Sequence, residues 1–84
     1  MKKKIAIIGS TGSIGSQALE VIDQHPDQFE LVVLSALKNS ELLIRQALRH
    51  KPNTVVIGQK ELYPDVAAAL QPHNIKVFAG EESI

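Results

Sequence analysis

The sequence predicts an α/β fold, a Rossmann-like parallel sheet of order βαβαβαβ that forms the truncated N-terminal half of a three-layer dinucleotide-binding domain. Three observations predict it. Short continuous apolar runs alternate with helix-period segments from end to end, and a glycine-rich loop joins the first run to the first helical segment. The third is length: 84 residues hold four such strands and no more, below the usual domain size of about 100–150 residues. Alternation of this kind implies right-handed crossovers with helices on both faces. In the usual doubly wound order the first and fourth strands are neighbours, and the missing half of the sheet adds beyond the fourth.

The elements follow in order. Lys4-Ile5-Ala6-Ile7-Ile8 is a continuous apolar run closed by Gly9, the pattern of a strand covered on both faces. From Ile14 to Asp23, the residues Ile14, Ala18, Val21 and Ile22 recur at helical spacing. His25-Pro26 ends that helix, because proline disfavours helical geometry at the residue before it. Phe29 to Ser35 is the second strand, with Leu31, Val32, Val33 and Leu34 contiguous. Asn39 or Ser40 caps a second helix reaching Lys51, with Leu43, Ile44, Ala47 and Leu48 on its inner stripe. Thr54 to Ile57 is a β-branched third strand ending at Gly58, and a third helix runs from about Pro64 to Leu70. Gln71-Pro72-His73-Asn74 is a turn, Ile75 to Phe78 a fourth strand, and Gly80-Glu81-Glu82-Ser83-Ile84 the opening of another helix.

Composition excludes several functions. Nine Lys and Arg balance nine Asp and Glu, so the basic surplus of a nucleic-acid-binding surface is missing. Lys2-Lys3-Lys4 is the one basic cluster, and it reads as a solubilising strand entrance. Without cysteine there is no disulfide framework and no thiolate metal site. The longest apolar runs, Leu31 to Leu34 and Val66 to Leu70, fall far short of the roughly 20 residues that span a bilayer. A cytoplasmic chain with no membrane and no nucleic-acid partner is the expectation.

Chemistry concentrates in Ile8-Gly9-Ser10-Thr11-Gly12-Ser13-Ile14-Gly15-Ser16. Gly9 is expected to turn the chain off the strand, Gly12 to let backbone approach phosphate, and Gly15 to let the helix pack closely on the sheet. Free amides of the first helical turn would then face an anion, with the Thr11 and Ser13 hydroxyls as further donors. A glycine triplet alone can be no more than a flexible turn; its place between a buried strand and an amphipathic helix gives it meaning. A P-loop is excluded, since Ser16 rather than lysine follows Gly15. At the end of the second strand, Leu37-Lys38-Asn39 stands where an NAD site carries an acid for the ribose 2′-OH. Lys38 and Asn39 suit a 2′-phosphate instead, so NADP(H) is favoured, although an exposed loop lysine is most often just solvated.

The remaining candidates carry little. His25, His50 and His73 are widely spaced, and the first two suit helix C-termini. Glu81 and Glu82 are adjacent and share no helical face. Tyr63 has Ala67, not lysine, four residues on. No base, nucleophile or metal cluster can be assembled, so the chain is expected to bind a cofactor and to be inactive alone.

The string Ile7 to Ser16, the His25-Pro26 and Phe29 positions, Ala36-Leu37-Lys38-Asn39 and the stretch from Val77 to Glu82 together resemble the N-terminal part of the 1-deoxy-D-xylulose 5-phosphate reductoisomerase family. The resemblance implies an NADPH-dependent oxidoreductase of non-mevalonate isoprenoid biosynthesis, converting 1-deoxy-D-xylulose 5-phosphate to 2-C-methyl-D-erythritol 4-phosphate. It further implies a homodimer and a divalent metal, magnesium or manganese. The metal ligands and the residues for the phosphorylated sugar substrate would lie in catalytic and C-terminal domains beyond these positions. Cofactor contacts carry over to Thr11, Gly12, Ser13 and Ile14 at the pyrophosphate, and to Lys38 and Asn39 at the 2′-phosphate. Leu37 departs from the glycine of many members, which puts a close approach or a positive-φ turn there in doubt. Two alternatives stay open: an NADP-dependent semialdehyde or acyl-phosphate reductase, and a stand-alone nucleotide-binding regulatory domain. Truncation is also expected to expose the fourth strand's edge and to promote dimers or aggregation through it.

Overall fold

The structure, a computed structural model, describes residues 2–80; Glu81, Glu82 and the rest of the last expected helix lie outside them. Seven elements appear in the expected order: β1 (Lys3–Ile7), α1 (Ser13–Gln24), β2 (Phe29–Ala36), α2 (Ser40–His50), β3 (Thr54–Ile57), α3 (Tyr63–Leu70) and β4 (Lys76–Ala79). Two short 3-10 turns, Lys60–Leu62 and Gln71–His73, lead into and out of α3 and depart from the expected pattern. Local chemistry sets the boundaries. The Asn39 side chain accepts a hydrogen bond from Leu42 N at 3.2 Å and so caps α2. Lys51 ends that helix in the left-handed region, at φ 51°. Pro64 occupies the first turn of α3, where its missing N–H costs nothing.

All strand pairs are parallel, and the sheet order is β1-β2-β3-β4. This corrects the expected adjacency of the first and fourth strands: β4 pairs with β3, and β1 is an edge. The cause is the packing of α3, whose buried Val66, Ala67 and Leu70 join the same core as Leu43 and Ala47 of α2. A right-handed crossover with its helix on that face must step onward past β3 rather than back past β1.

The register shows where the core lies. Ile7, Leu34, Val55 and Val77 form one row across the sheet, and each is buried. Leu19 of α1 joins them with the inner residues of α2 and α3, so all three helices cover one face. Each fully buried large aliphatic side chain there contributes about 1.5–3 kcal/mol. The opposite face carries Ser35, Val56 and Phe78 in one row, with Phe78 51% exposed. The described residues therefore supply two layers; a helical layer on the second face is not among them.

Two helical stripes also differ from expectation. In α1 the buried residues are Gly15 and Leu19, whereas Ile14 is 84% exposed and Val21 is exposed too. In α2 Leu43 and Ala47 are buried as expected, but Leu48 faces out and Gln46 faces in. The α1 stripe rotates because Gly15 must press against the loop that precedes the helix. Ile14 and Ala18 are left beside the free edge of β1, where they line an open cleft of about 710 Å³ with Ile5 and Ile8.

Candidate functional site

The glycine loop leaves the sheet at the carboxyl end of β1, and Leu37-Lys38-Asn39 leaves it at the carboxyl end of β2. Since β1 and β2 are parallel neighbours, both candidate segments emerge on one edge of the sheet. In an open α/β sheet that edge is where ligands bind.

Gly9 turns the chain with φ +75°, a conformation that L side chains rarely adopt. Its N–H donates to Ser35 Oγ at 3.2 Å, and the next amide, Ser10 N, donates to Ser35 O at 2.8 Å. Gly12 closes the turn by donating to Gly9 O at 3.1 Å. It then serves as N-cap of α1 in extended backbone geometry, its carbonyl accepting from Ser16 N at 2.9 Å. No side chain caps α1 and no acid stands in its first turn. The amides of Ser13, Ile14 and Gly15 thus have no intrahelical acceptor, and the positive end of the helix dipole is uncompensated. The Thr11 and Ser13 hydroxyls make no hydrogen bond among the described residues, and both are at least partly exposed.

Gly15 is needed for a different contact than expected. A Cβ there would collide with Gly9 O and lie 2.7 Å from Ser10 Cα. The close approach is between helix and loop, not helix and sheet. This brings the first turn of α1 against the bend, so that loop and helix start form one rigid unit.

Three further side chains, to which the sequence assigns no role, hold the loop. Gln46 Nε2 donates to Ser10 O at 2.9 Å in a buried bond that crosses from α2. Ser16 Oγ approaches the same carbonyl at 3.4 Å, and Ser35 supplies the two bonds described above. The available signal was Gln46 itself, a polar residue three positions after Leu43 and one before Ala47, on the apolar stripe.

At the second segment, Lys38 is exposed and makes no ion pair among the described residues. The Asn39 side-chain oxygen is engaged as the cap of α2, which leaves its Nδ2 to donate outward. Leu37 sits at ordinary negative φ, so its backbone does not need glycine. Its side chain lies over Gly58, where a Cβ would meet Leu37 Cδ1 at 2.5 Å. Glycine at 58 in effect makes room for leucine at 37.

The other titratable residues assemble nothing catalytic. His50 Nδ1 and Arg49 Nη2 each lie 3.1 Å from the Asp23 carboxylate, tying the end of α2 to the end of α1. His25 packs edge-on against Phe29. Among the described residues no group of three His, Asp or Glu is placed to hold a metal, and no helix is long and apolar enough to cross a membrane. What the edge offers, among the described residues, is a cradle of amides, two free hydroxyls and an unpaired lysine. These are donors for phosphate.

Comparison with known proteins places the chain in a family. The family model of 1-deoxy-D-xylulose 5-phosphate reductoisomerase matches residues 5–84. The reductoisomerase of Bacteroides thetaiotaomicron is 51% identical over 83 residues, which are 99% of this chain and 21% of that protein. Among solved structures, the reductoisomerase from Zymomonas mobilis in complex with NADPH superposes with a TM-score of 0.93 at 29% identity, over 99% of this chain and 22% of that one. A reductoisomerase structure in complex with magnesium shares the fold at a TM-score of 0.87 and 24% identity, again over 99% of this chain and 21% of the other. The chain thus spans about a fifth of the length of the relatives it matches. It belongs to the 1-deoxy-D-xylulose 5-phosphate reductoisomerase family.

Proposed function

We propose that these residues are the NADPH-binding part of a reductoisomerase that converts 1-deoxy-D-xylulose 5-phosphate to 2-C-methyl-D-erythritol 4-phosphate. The observation that carries the reading is the uncapped first turn of α1, pressed against a glycine bend at the carboxyl edge of the sheet. The cofactor pyrophosphate sits over the free amides of Ser13, Ile14 and Gly15 and against the bare backbone of Gly12, with the Thr11 and Ser13 hydroxyls as lateral donors; Gly9 shapes the bend beneath it. Lys38 Nζ and Asn39 Nδ2 take the adenosine 2′-phosphate, and Leu37 walls the ribose side. NADPH supplies the hydride; these residues bind and orient it. Substrate residues and the ligands of the divalent metal, magnesium or manganese, belong to further domains, and the active unit is a cytoplasmic homodimer.

Cofactor preference tests the assignment. In the complete protein, NADPH binds more tightly than NADH, and Lys38→Ala removes roughly 10- to 100-fold of that preference, as expected for loss of one charge-assisted bond of roughly 1.5–3 kcal/mol. Equal affinity for the two cofactors in the parent protein would overturn the role of Lys38.

A further inference from the structure

Gln46 stands on α2, on the helix-covered side of the sheet, and its residue is only 8% exposed. It has no route to a ligand. Its amide nitrogen nevertheless reaches Ser10 O of the glycine loop at 2.9 Å, 36 positions away in sequence. Its own Oε1 is buried without a partner among the described residues, and so is Ser10 Oγ. A half-satisfied buried amide is an expensive way to fill space. With Oε1 unpaired, desolvation of the amide offsets part of what its one bond contributes to stability.

The peptide geometry shows what the bond does achieve. The Ser10–Thr11 peptide is trans, since no cis bond is present among the described residues. In a trans peptide the carbonyl and the amide of the same plane point in opposite directions. Drawing Ser10 O inward toward Gln46 therefore turns the Thr11 N–H outward, toward the face where the first-turn amides of α1 are free. The Ser10 N–H is held by Ser35 O at 2.8 Å, so the plane is fixed on both sides of Ser10.

We infer that Gln46 is a positioning residue for the cofactor: it aims the Thr11 amide at the dinucleotide pyrophosphate without touching it. The inference rests on NADPH binding at the loop and adds a residue to that site from an element that does not line it. Gln46→Met keeps the length and packing of the side chain and removes the amide. In the complete protein, this variant weakens NADPH about tenfold, the loss expected for one misaligned donor to a charged group. Its affinity for adenosine 2′-phosphate, which lacks the pyrophosphate, stays unchanged, an outcome that general loss of folding would not give. A second measurement needs no variant: in the wild-type protein, hydrogen exchange at the Thr11 amide slows when NADPH is added. Unchanged NADPH affinity in the variant, parallel weakening of both probes, or a Thr11 amide that NADPH leaves unprotected would overturn the positioning role. Failure of the wild-type protein to bind NADPH would overturn the underlying site instead, so the two ideas fail separately. Should Gln46→Met not fold, the exchange measurement alone decides.

Discussion

Gly15 illustrates how one missing methyl group can organise a binding site. With a Cβ at this position, Gly9 O and Ser10 Cα would have to move, and both are backbone atoms of the bend. Gly15→Ala is therefore expected to destabilise the protein by about 1–3 kcal/mol, the usual cost of overpacking, and to abolish most NADPH affinity by displacing the loop. Thermal unfolding and a cofactor titration read the two effects. A variant with wild-type Tm and affinity would contradict the close approach. Gly9 differs in kind: a Cβ added there would meet nothing within 4 Å, so only its left-handed φ requires glycine. The turn at Gly9 was legible from spacing, whereas the contact expected of Gly15 with the sheet is made with the loop instead. Only in the fold does the partner of Gly15 emerge, because which backbone a helix meets is decided by the turn that precedes it. The role of Gln46 is not legible in the sequence for a related reason. A glutamine on an apolar stripe has meaning only once its partner, 36 positions upstream, is known.

The helices and strands themselves follow from local chemistry, which is why their order could be read directly. Each was bounded by a signal with a mechanism: Pro26 after α1, Asn39 before α2, Pro64 at the start of α3, Gly58 after β3. Asn39 caps α2 and, in the proposed site, also donates to the cofactor. Asn39→Ala is expected to cost about 1 kcal/mol of stability through the lost cap and to weaken NADPH further. Asn39→Asp separates the two, since aspartate caps equally well but repels a 2′-phosphate. Its Tm should match the parent while NADPH affinity drops; a drop in neither variant would remove Asn39 from the site. Helix orientation was less legible than helix position. Ile14, Ala18, Val21 and Ile22 have helical spacing, yet Ile14 and Val21 point away from the core, because α1 has apolar residues on two flanks and periodicity alone does not rank them.

Across the whole molecule, strand order is what the sequence concealed. The glycine loop marks where β1 meets α1 but says nothing about which side of the sheet receives β4. That choice belongs to α3, through its contact with α2, and it makes β1 an edge. The edge is flanked by exposed Ile8 and Ile14, and Phe78 is exposed on the uncovered face. Exposed edges and apolar patches favour association. The 84-residue chain alone is thus expected to self-associate with rising concentration, through β1 as well as β4, and Ile8→Lys with Ile14→Lys to reduce it. Light scattering reads the mass, and a monomer at all concentrations would contradict the exposed-edge picture. In the proposed site, cofactor binding turns on the amides at the start of α1. A crystal structure of the complete protein with NADPH tests their role most directly. The pyrophosphate oxygens should lie within hydrogen-bond distance, about 2.7–3.2 Å, of the amide nitrogens between Thr11 and Gly15. Cofactor density with its pyrophosphate away from that helix start would contradict it.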